Sequence, residues 1–198
     1  MVVVNSNPRS GIKKPFKLEE IWRIRTRLEI ENDLMQQALL NLAIDSKLRS
    51  SDLLMLKVCD VSSQDLVFAR VEHMQRKTGT LVQFEITART QQTLLRWICT
   101  LSLKPSSFIF PSVRRTDKPI SYSLYRNIVR NWASNLGLDP NAYGTHSLRR
   151  TKATLVYART KNIRAVQILL GHSKVDNTIR YLGVEVEDAL RISEETDS

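Results

Sequence analysis

Thr145 to Thr151 read T-H-S-L-R-R-T, and Ile168 to Gly183 read I-L-L-G-H-S-K-V-D-N-T-I-R-Y-L-G. In the first stretch His146 and Arg149 stand three residues apart, a spacing that puts both on one face of a helix. The second ends an apolar run at Gly171, presents His172 and reaches Tyr181 nine residues later. Two histidines, an arginine and a tyrosine concentrated in an apolar, helix-rich segment point to chemistry on phosphate. The rest of the chain reads as the scaffold and the remaining ligands of that site.

The 198 residues are enough for one domain with a sizeable core, and 42% apolar with 25% charged residues is ordinary for a folded protein. The charge is less ordinary: 30 Lys and Arg oppose 20 Asp and Glu, giving a formal +10 and a pI near 9.9. Six of the acids lie in residues 185–198 beside the single base Arg191, so a basic body ends in an acidic tail. Such a body favours a polyanionic partner. Cys59 and Cys99 have no CxxC or Cys/His ligand spacing and read as two buried thiols of a reducing compartment. The opening M-V-V-V-N-S-N-P is too short and uncharged for a signal peptide. No apolar run approaches the roughly 18 residues of a membrane span. A cytoplasmic protein is expected.

Residues 1–16, with Arg9, Lys13 and Lys14 among Asn, Ser, Pro and Gly, read as a flexible basic arm. Helical spacing of Ile21, Ile24 and Leu28 predicts a helix from Leu18 to Ile30. A wider stripe (Leu34, Met35, Ala38, Leu39, Leu42, Ala43) predicts a buried second helix. Ser50 or Ser51 caps a short helix carrying Leu53, Leu54 and Leu56, which leaves Arg49 just before its first turn. β-branched and aromatic residues from Leu66 to Val71 and Thr80 to Ile86 predict two hairpin strands, with Gly79 in the turn and Lys77 near it. Helices follow at Thr90 to Leu101, from the capping Ser121 to Leu136, after His146, at Ile163 to Leu170, around Tyr181 and from Glu185. Trp22, Trp97 and Trp132 lie on apolar stripes and read as core, as do Tyr122, Tyr125, Tyr143 and Tyr157. The fold class is α+β, mainly helical with a small antiparallel sheet. Its domain occupies 17–184, between the basic arm and an acidic tail helix at 185–198.

The boxes together resemble the catalytic domain of the tyrosine recombinase (phage integrase) family. L-R-S-S-D-L-L-M-L resembles its first arginine box through Arg49, with Asp52 at the acidic position. R-K-T-G resembles the hairpin lysine box through Lys77, and H-S-L-R the His-x-x-Arg box through His146 and Arg149. L-L-G-H-S resembles the second histidine box through His172, and Tyr181 stands at the nucleophile's place. Singly, each residue has an ordinary explanation: a surface arginine, a hairpin turn, a capping histidine, a helix stop, a core tyrosine. All six in a fixed order do not. The resemblance implies a site-specific DNA recombinase, of integrase or invertase type, that cuts and rejoins strands through a 3′-phosphotyrosyl intermediate without metal, ATP or other cofactor. Planar guanidiniums of Arg49 and Arg149 suit the non-bridging oxygens of one phosphodiester. A phenol of pKa about 10 is only about 0.1% ionised at pH 7, so Tyr181 needs a base, and His146 is the candidate. The resemblance gives Lys77 the leaving 5′ oxygen. His172 would donate to a phosphate oxygen or position Tyr181, and Asp52 would orient Arg49 or His146.

Lys47, Arg76, Arg150, Lys152 and Lys174 flank the boxes and are candidates for neighbouring phosphates of double-stranded DNA. Val186, Ala189, Leu190 and Ser193 share a face of the tail, which in the family often docks on a neighbouring protomer. A dimer or tetramer on DNA, and accessory DNA-bending proteins, are therefore expected partners; no membrane is. Only about sixteen residues precede the first helix, so the separate N-terminal clamp domain common in the family is not expected. Weaker, strongly salt-dependent DNA binding should follow. Two other functions compete: a type IB topoisomerase-like relaxer, and a non-catalytic DNA-binding regulator derived from an integrase.

Overall fold

A computed structural model describes residues 13–182. Helix α1 (Leu18–Ile30) opens with Glu20 accepting from the Lys17 amide at 2.7 Å, which satisfies one of the free N–H groups of its first turn. It buries Ile21, Ile24 and Leu28, as the periodicity predicts. Asp33 caps α2 (Leu34–Ser46) by accepting from the Gln36 amide. From Ala38 onward α2 is buried on every face, so it forms the centre of the domain. Its end at Lys47 is left-handed (φ 55°), which turns the chain sharply into α3 (Ser50–Leu53).

The following short helix, α4 (Val58–Val61), is not signalled by the sequence pattern. Leu66 to Val71, expected as one strand, is divided. β1 (Ser62–Ser63) and β2 (Leu66–Val67) make a separate small hairpin, while β3 (Arg70–Met74) pairs antiparallel with β4 (Leu81–Glu85). Arg70 faces Glu85 and Met74 faces Leu81, so β3 runs through Glu72 and His73, which composition had placed in the connection. A ribbon with one solvent face tolerates such polar residues. The turn is therefore Gln75 to Thr80, closed by the Gly79 amide on the Gln75 carbonyl at 2.8 Å, with Gly79 at φ 62°. Lys77 lies inside it.

α5 (Ala88–Thr100), α6 (Tyr122–Asn135), α7 (Thr145–Thr160), α8 (Ile163–Leu170) and α9 (Val175–Leu182) complete the order. The main core gathers α1, α2, both hairpins, α5 and α6 around Leu39, Leu42, Phe84, Val129 and Trp132, and Leu148 brings α7 into it. A second, smaller core joins α7, α8 and α9 through Ala153, Val166, Leu170 and Tyr181. The domain is α+β and mainly helical, with two small antiparallel sheets. Among the described residues no helix is long and apolar enough to cross a membrane.

Several expectations need correction. Residues 13–16 of the basic arm are packed: Lys14 donates its amide to the Ala142 carbonyl, and Phe16 is buried and stacked on Tyr143. Cys59 and Cys99 are exposed, each standing beside the apolar stripe of its helix rather than on it. Trp22 is 45% exposed, with the guanidiniums of Arg89 and Arg25 4.8 and 5.4 Å from its ring centre. Tyr122 is likewise exposed, whereas Tyr125 and Tyr143 are core residues. The expected helix from Glu185 and its apolar face lie outside the described residues.

Candidate active site

Arg49 occupies the N-cap of α3 and Arg149 the second turn of α7, yet one carbonyl and one side chain connect them. Arg149 is 2% exposed and donates Nη2 to the Leu170 carbonyl at 2.8 Å, at the end of α8. Gln75, in the β3–β4 turn, donates Nε2 to the same carbonyl at 3.1 Å and accepts on Oε1 from Arg49 Nη1. Thr78 also donates to that Oε1, at 3.0 Å. The two guanidiniums of the sequence reading are thus tied to the turn that carries Lys77.

His146, His172, Arg150 and Tyr181 gather around the same arginines. The His172 ring meets the Tyr181 ring edge-on with centres 5.4 Å apart, and its Nδ1 lies 3.1 Å from the Thr178 hydroxyl. Arg150 and Arg149 stand 5.2 and 6.0 Å from the Tyr181 ring centre. Partial burial, then the positive charges of Arg149, Arg49, Lys77 and Arg150, lower the His146 pKa, so those cations lie near enough to act on it. Partial burial with Arg149 and Arg49 pushes the His172 pKa down to about 4. Both imidazoles are therefore neutral at pH 7. Burial pushes the Tyr181 phenol up to about 12, against the opposing pull of Arg149 and Arg150.

The polar atoms at the centre are unsatisfied. Among the described residues, Arg149 Nη1, Arg150 Nε and the Tyr181 hydroxyl are buried without a hydrogen-bond partner. Buried polar groups are almost always paired, so such a concentration marks a place for a ligand or bound water. The donors here are two guanidinium N–H groups and a phenol, a set that suits an oxyanion.

Asp52 differs from its expected role. Its carboxylate is fully buried, accepts from the Arg76 amide at 3.1 Å and lies 3.9 Å from His73 Nε2, bonding neither Arg49 nor His146. It anchors the turn. Of the flanking cations, Arg76 and Lys174 are exposed as expected. Lys47 is not: at 1% exposure it donates to the Asp45 carbonyl at 2.6 Å and to Glu85 at 3.0 Å. Lys152 is likewise drawn onto Asp45 and Glu85, at 3.3 and 3.1 Å. Arg150 is buried over Tyr181 rather than pointing outward. Gln75, His73 and Thr178 were not singled out by sequence. A glutamine in a polar turn or a threonine in a polar helix carries no local sign of being buried, although His73 lies four residues before Lys77.

Comparison with known proteins places the chain in one family. The phage integrase family model matches residues 15–188. The probable integrase/recombinase YoeC of Bacillus subtilis (strain 168) is 34% identical over 181 residues, spanning 91% of this chain and 94% of that one. Among solved structures, XerA recombinase superposes with a TM-score of 0.72 at 19% identity over 95% of this chain. XerH site-specific recombinase bound to palindromic difH substrate gives 0.71 at 19% identity over 96%. The chain spans 66% and 56% of those two proteins' lengths, and at such identities they establish the fold alone. The family match covers most of the sequence and includes every residue of the buried cluster: the chain belongs to the phage integrase family, the tyrosine recombinases, enzymes that break and rejoin DNA strands.

Proposed function

We propose that the buried cluster is the strand-transfer site of a site-specific recombinase, with Tyr181 as nucleophile and a DNA phosphodiester as the missing ligand. The observation that carries this reading is the unpaired Tyr181 hydroxyl buried beside the unpaired Nη1 of Arg149. A phosphate oxygen between them would satisfy the guanidinium and set phosphorus against the phenol.

The chemistry follows from the protonation states. With its pKa pushed up to about 12, Tyr181 holds its proton at neutral pH. Neutral His146, kept so by burial and the surrounding cations, accepts that proton as the phenol oxygen bonds to phosphorus. Arg49 and Arg149 stabilise the charge that gathers on the non-bridging oxygens. The bond from phosphorus to the 5′ oxygen breaks, and Lys77 protonates the leaving alkoxide. The products are a 3′-phosphotyrosyl link and a free 5′ hydroxyl, with His146 bearing a proton and Lys77 neutral. Attack by a 5′ hydroxyl runs the same steps backwards and restores both. His172, against the Tyr181 ring, fixes the direction of approach.

Arg76 and Lys174, exposed beside the site, contact flanking phosphates. The protein acts on paired double-stranded sites as a self-associated assembly, and accessory DNA-bending proteins assist it. The test is a duplex nicked beside a candidate crossover, so that the short piece bearing the freed 5′ hydroxyl diffuses away after cleavage. An adduct that survives denaturation and vanishes in Tyr181→Phe supports the reading. Specific binding with no adduct, or an adduct that persists in Tyr181→Phe, removes it.

A further inference from the structure

We infer that Gln75 is a positioning residue that sets Arg49 and Arg149 against each other, so that the two act on one phosphate as a unit. The inference rests on the strand-transfer reading for its catalytic consequence, though not for its geometry.

Gln75 is 1% exposed in a turn that is otherwise at the surface, which is an unusual place for a buried amide. Both ends of its side chain are used. The oxygen accepts from Arg49 and Thr78, and the nitrogen donates to the Leu170 carbonyl that also receives Arg149. Its main chain is fixed as well, donating to the Thr80 carbonyl at 2.9 Å and accepting from the Gly79 amide at 2.8 Å. Three segments far apart in sequence, α3, the β3–β4 turn and the end of α8, therefore converge on one amide.

The approach depends on Gly171. That residue is left-handed (φ 64°), and a Cβ there would lie 2.9 Å from Gln75 Nε2 and 2.5 Å from Val82 Cγ1. Absence of a side chain at the end of α8 is what lets Gln75 reach the Leu170 carbonyl. With its amide hydrogen on that carbonyl, Gln75 can turn only its oxygen to Arg49, because the amide plane fixes one end once the other is placed. A shift of either guanidinium is thus transmitted to the other. Lys77, two residues along the same turn, is carried with them.

The experiment uses Gln75→Leu, which keeps the volume and removes both bonds, with Gln75→Met as a second variant of similar shape. Adduct formation is timed in a single turnover on nicked duplexes with either a normal or a methylphosphonate scissile group. A methylphosphonate lacks one charged oxygen, so the guanidinium pair has less to stabilise. On the normal phosphate the variants should react about 100-fold more slowly at saturating protein, the scale of losing one oriented donor. DNA affinity should stay within about threefold, since the phosphate contacts that set it are elsewhere. On the methylphosphonate the deficit should shrink to less than about tenfold. An unchanged rate on the normal phosphate, or an equal deficit on both substrates, overturns the inference. So does failure of both variants to fold, which would make Gln75 a purely structural residue.

A second arm needs no catalysis. In nitrogen-15 spectra of the free protein, Gln75→Leu should move the guanidinium signals of both Arg49 and Arg149; an unaltered Arg149 signal overturns the inference. Should the unsubstituted chain give no adduct, the strand-transfer reading falls, and the spectra still decide whether Gln75 couples the two arginines.

Discussion

Two charged clusters lie side by side in this domain, and they are built on opposite rules. Around Asp45 every group is satisfied. One carboxylate oxygen accepts from the Thr87 amide and from the hydroxyls of Thr87 and Thr90, at 2.9, 2.7 and 2.6 Å, while the other meets Lys152. Lys47 and Lys152 then share Glu85. Burial favours the neutral acid at Glu85, but Lys47 and Lys152 outweigh it and hold the carboxyl below its usual range. A turn of α7 away, Arg149, Arg150 and Tyr181 keep buried polar atoms with no partner. The first cluster joins α2, β4, the start of α5 and α7 and is complete without a ligand. The second is complete only with one. Sequence alone does not separate them, because both present basic residues beside the same boxes.

The sharpest way to break the comparison is to remove the hub of the satisfied cluster. Asp45→Ala leaves the Thr87 amide and the Thr87 and Thr90 hydroxyls at the start of α5 without their acceptor and takes one of two carboxylates from Lys152, and each buried donor left unsatisfied costs about 1–3 kcal/mol. The denaturant midpoint should fall accordingly, while the cleavage rate per folded molecule at low temperature stays near that of the parent. Arg149→Lys is its counterpart. It keeps the charge but loses the planar fork, so cleavage should slow by about 10²–10³-fold. Its unfolding midpoint should fall less than that of Asp45→Ala, because the one hydrogen bond at stake is from Nη2 to the Leu170 carbonyl and Nη1 had no partner to lose. If Arg149→Lys unfolded the protein and Asp45→Ala spared it, the division between the two clusters would be wrong.

A third substitution falls on the border of the site. Gly171→Ala places a methyl against Val82 and Gln75 at a left-handed residue, and should destabilise by about 1–3 kcal/mol. It should also slow cleavage beyond what the lost folded fraction accounts for, since Gln75 must give way. Rates corrected for the folded fraction at each urea concentration test this.

How much of this was legible beforehand follows from what each signal measures. The stripes of α1 and α2, the Ser121 cap and the Gly171 stop were readable because they are local. The order of Arg49, Lys77, His146, Arg149, His172 and Tyr181 was readable because the family boxes are local too. Lys47 was misread for the complementary reason. Whether a lysine beside a box reaches outward or inward depends on a left-handed turn at φ 55° and on Glu85, 38 residues away. Gln75 escaped notice because its importance lies in Leu170, 95 residues on. The divided strand at Leu66 to Val71 shows the same limit, since composition marks extended chain and says nothing of which neighbour it pairs with.

The smallest expected effect concerns acid. His172 titrates at about 4 in the folded chain against an ordinary 6.5, because burial and the arginines oppose its protonation. Above pH 6.5 both folded and unfolded chains hold it neutral, and its contribution to stability is fully present. As pH falls from 6.5 towards 4 the unfolded chain takes up the proton first, and that contribution is lost. After allowance for solvent around a half-buried ring, the loss is on the order of 1 kcal/mol, or about 2–4 °C in Tm. Glu85 adds to it only at lower pH, since its depressed carboxyl loses its charge below the ordinary carboxylate range. Melting His172→Gln beside the parent should therefore give parallel curves above pH 6.5 and a shallower fall for the variant between 6.5 and 4.5. A bound DNA phosphate should shrink the difference at this residue, because an anion beside Arg149 and Arg49 offsets their repulsion and leaves burial alone opposing protonation. The same melts with duplex present then distinguish a cluster built around an absent anion from one whose charges are arranged for stability alone.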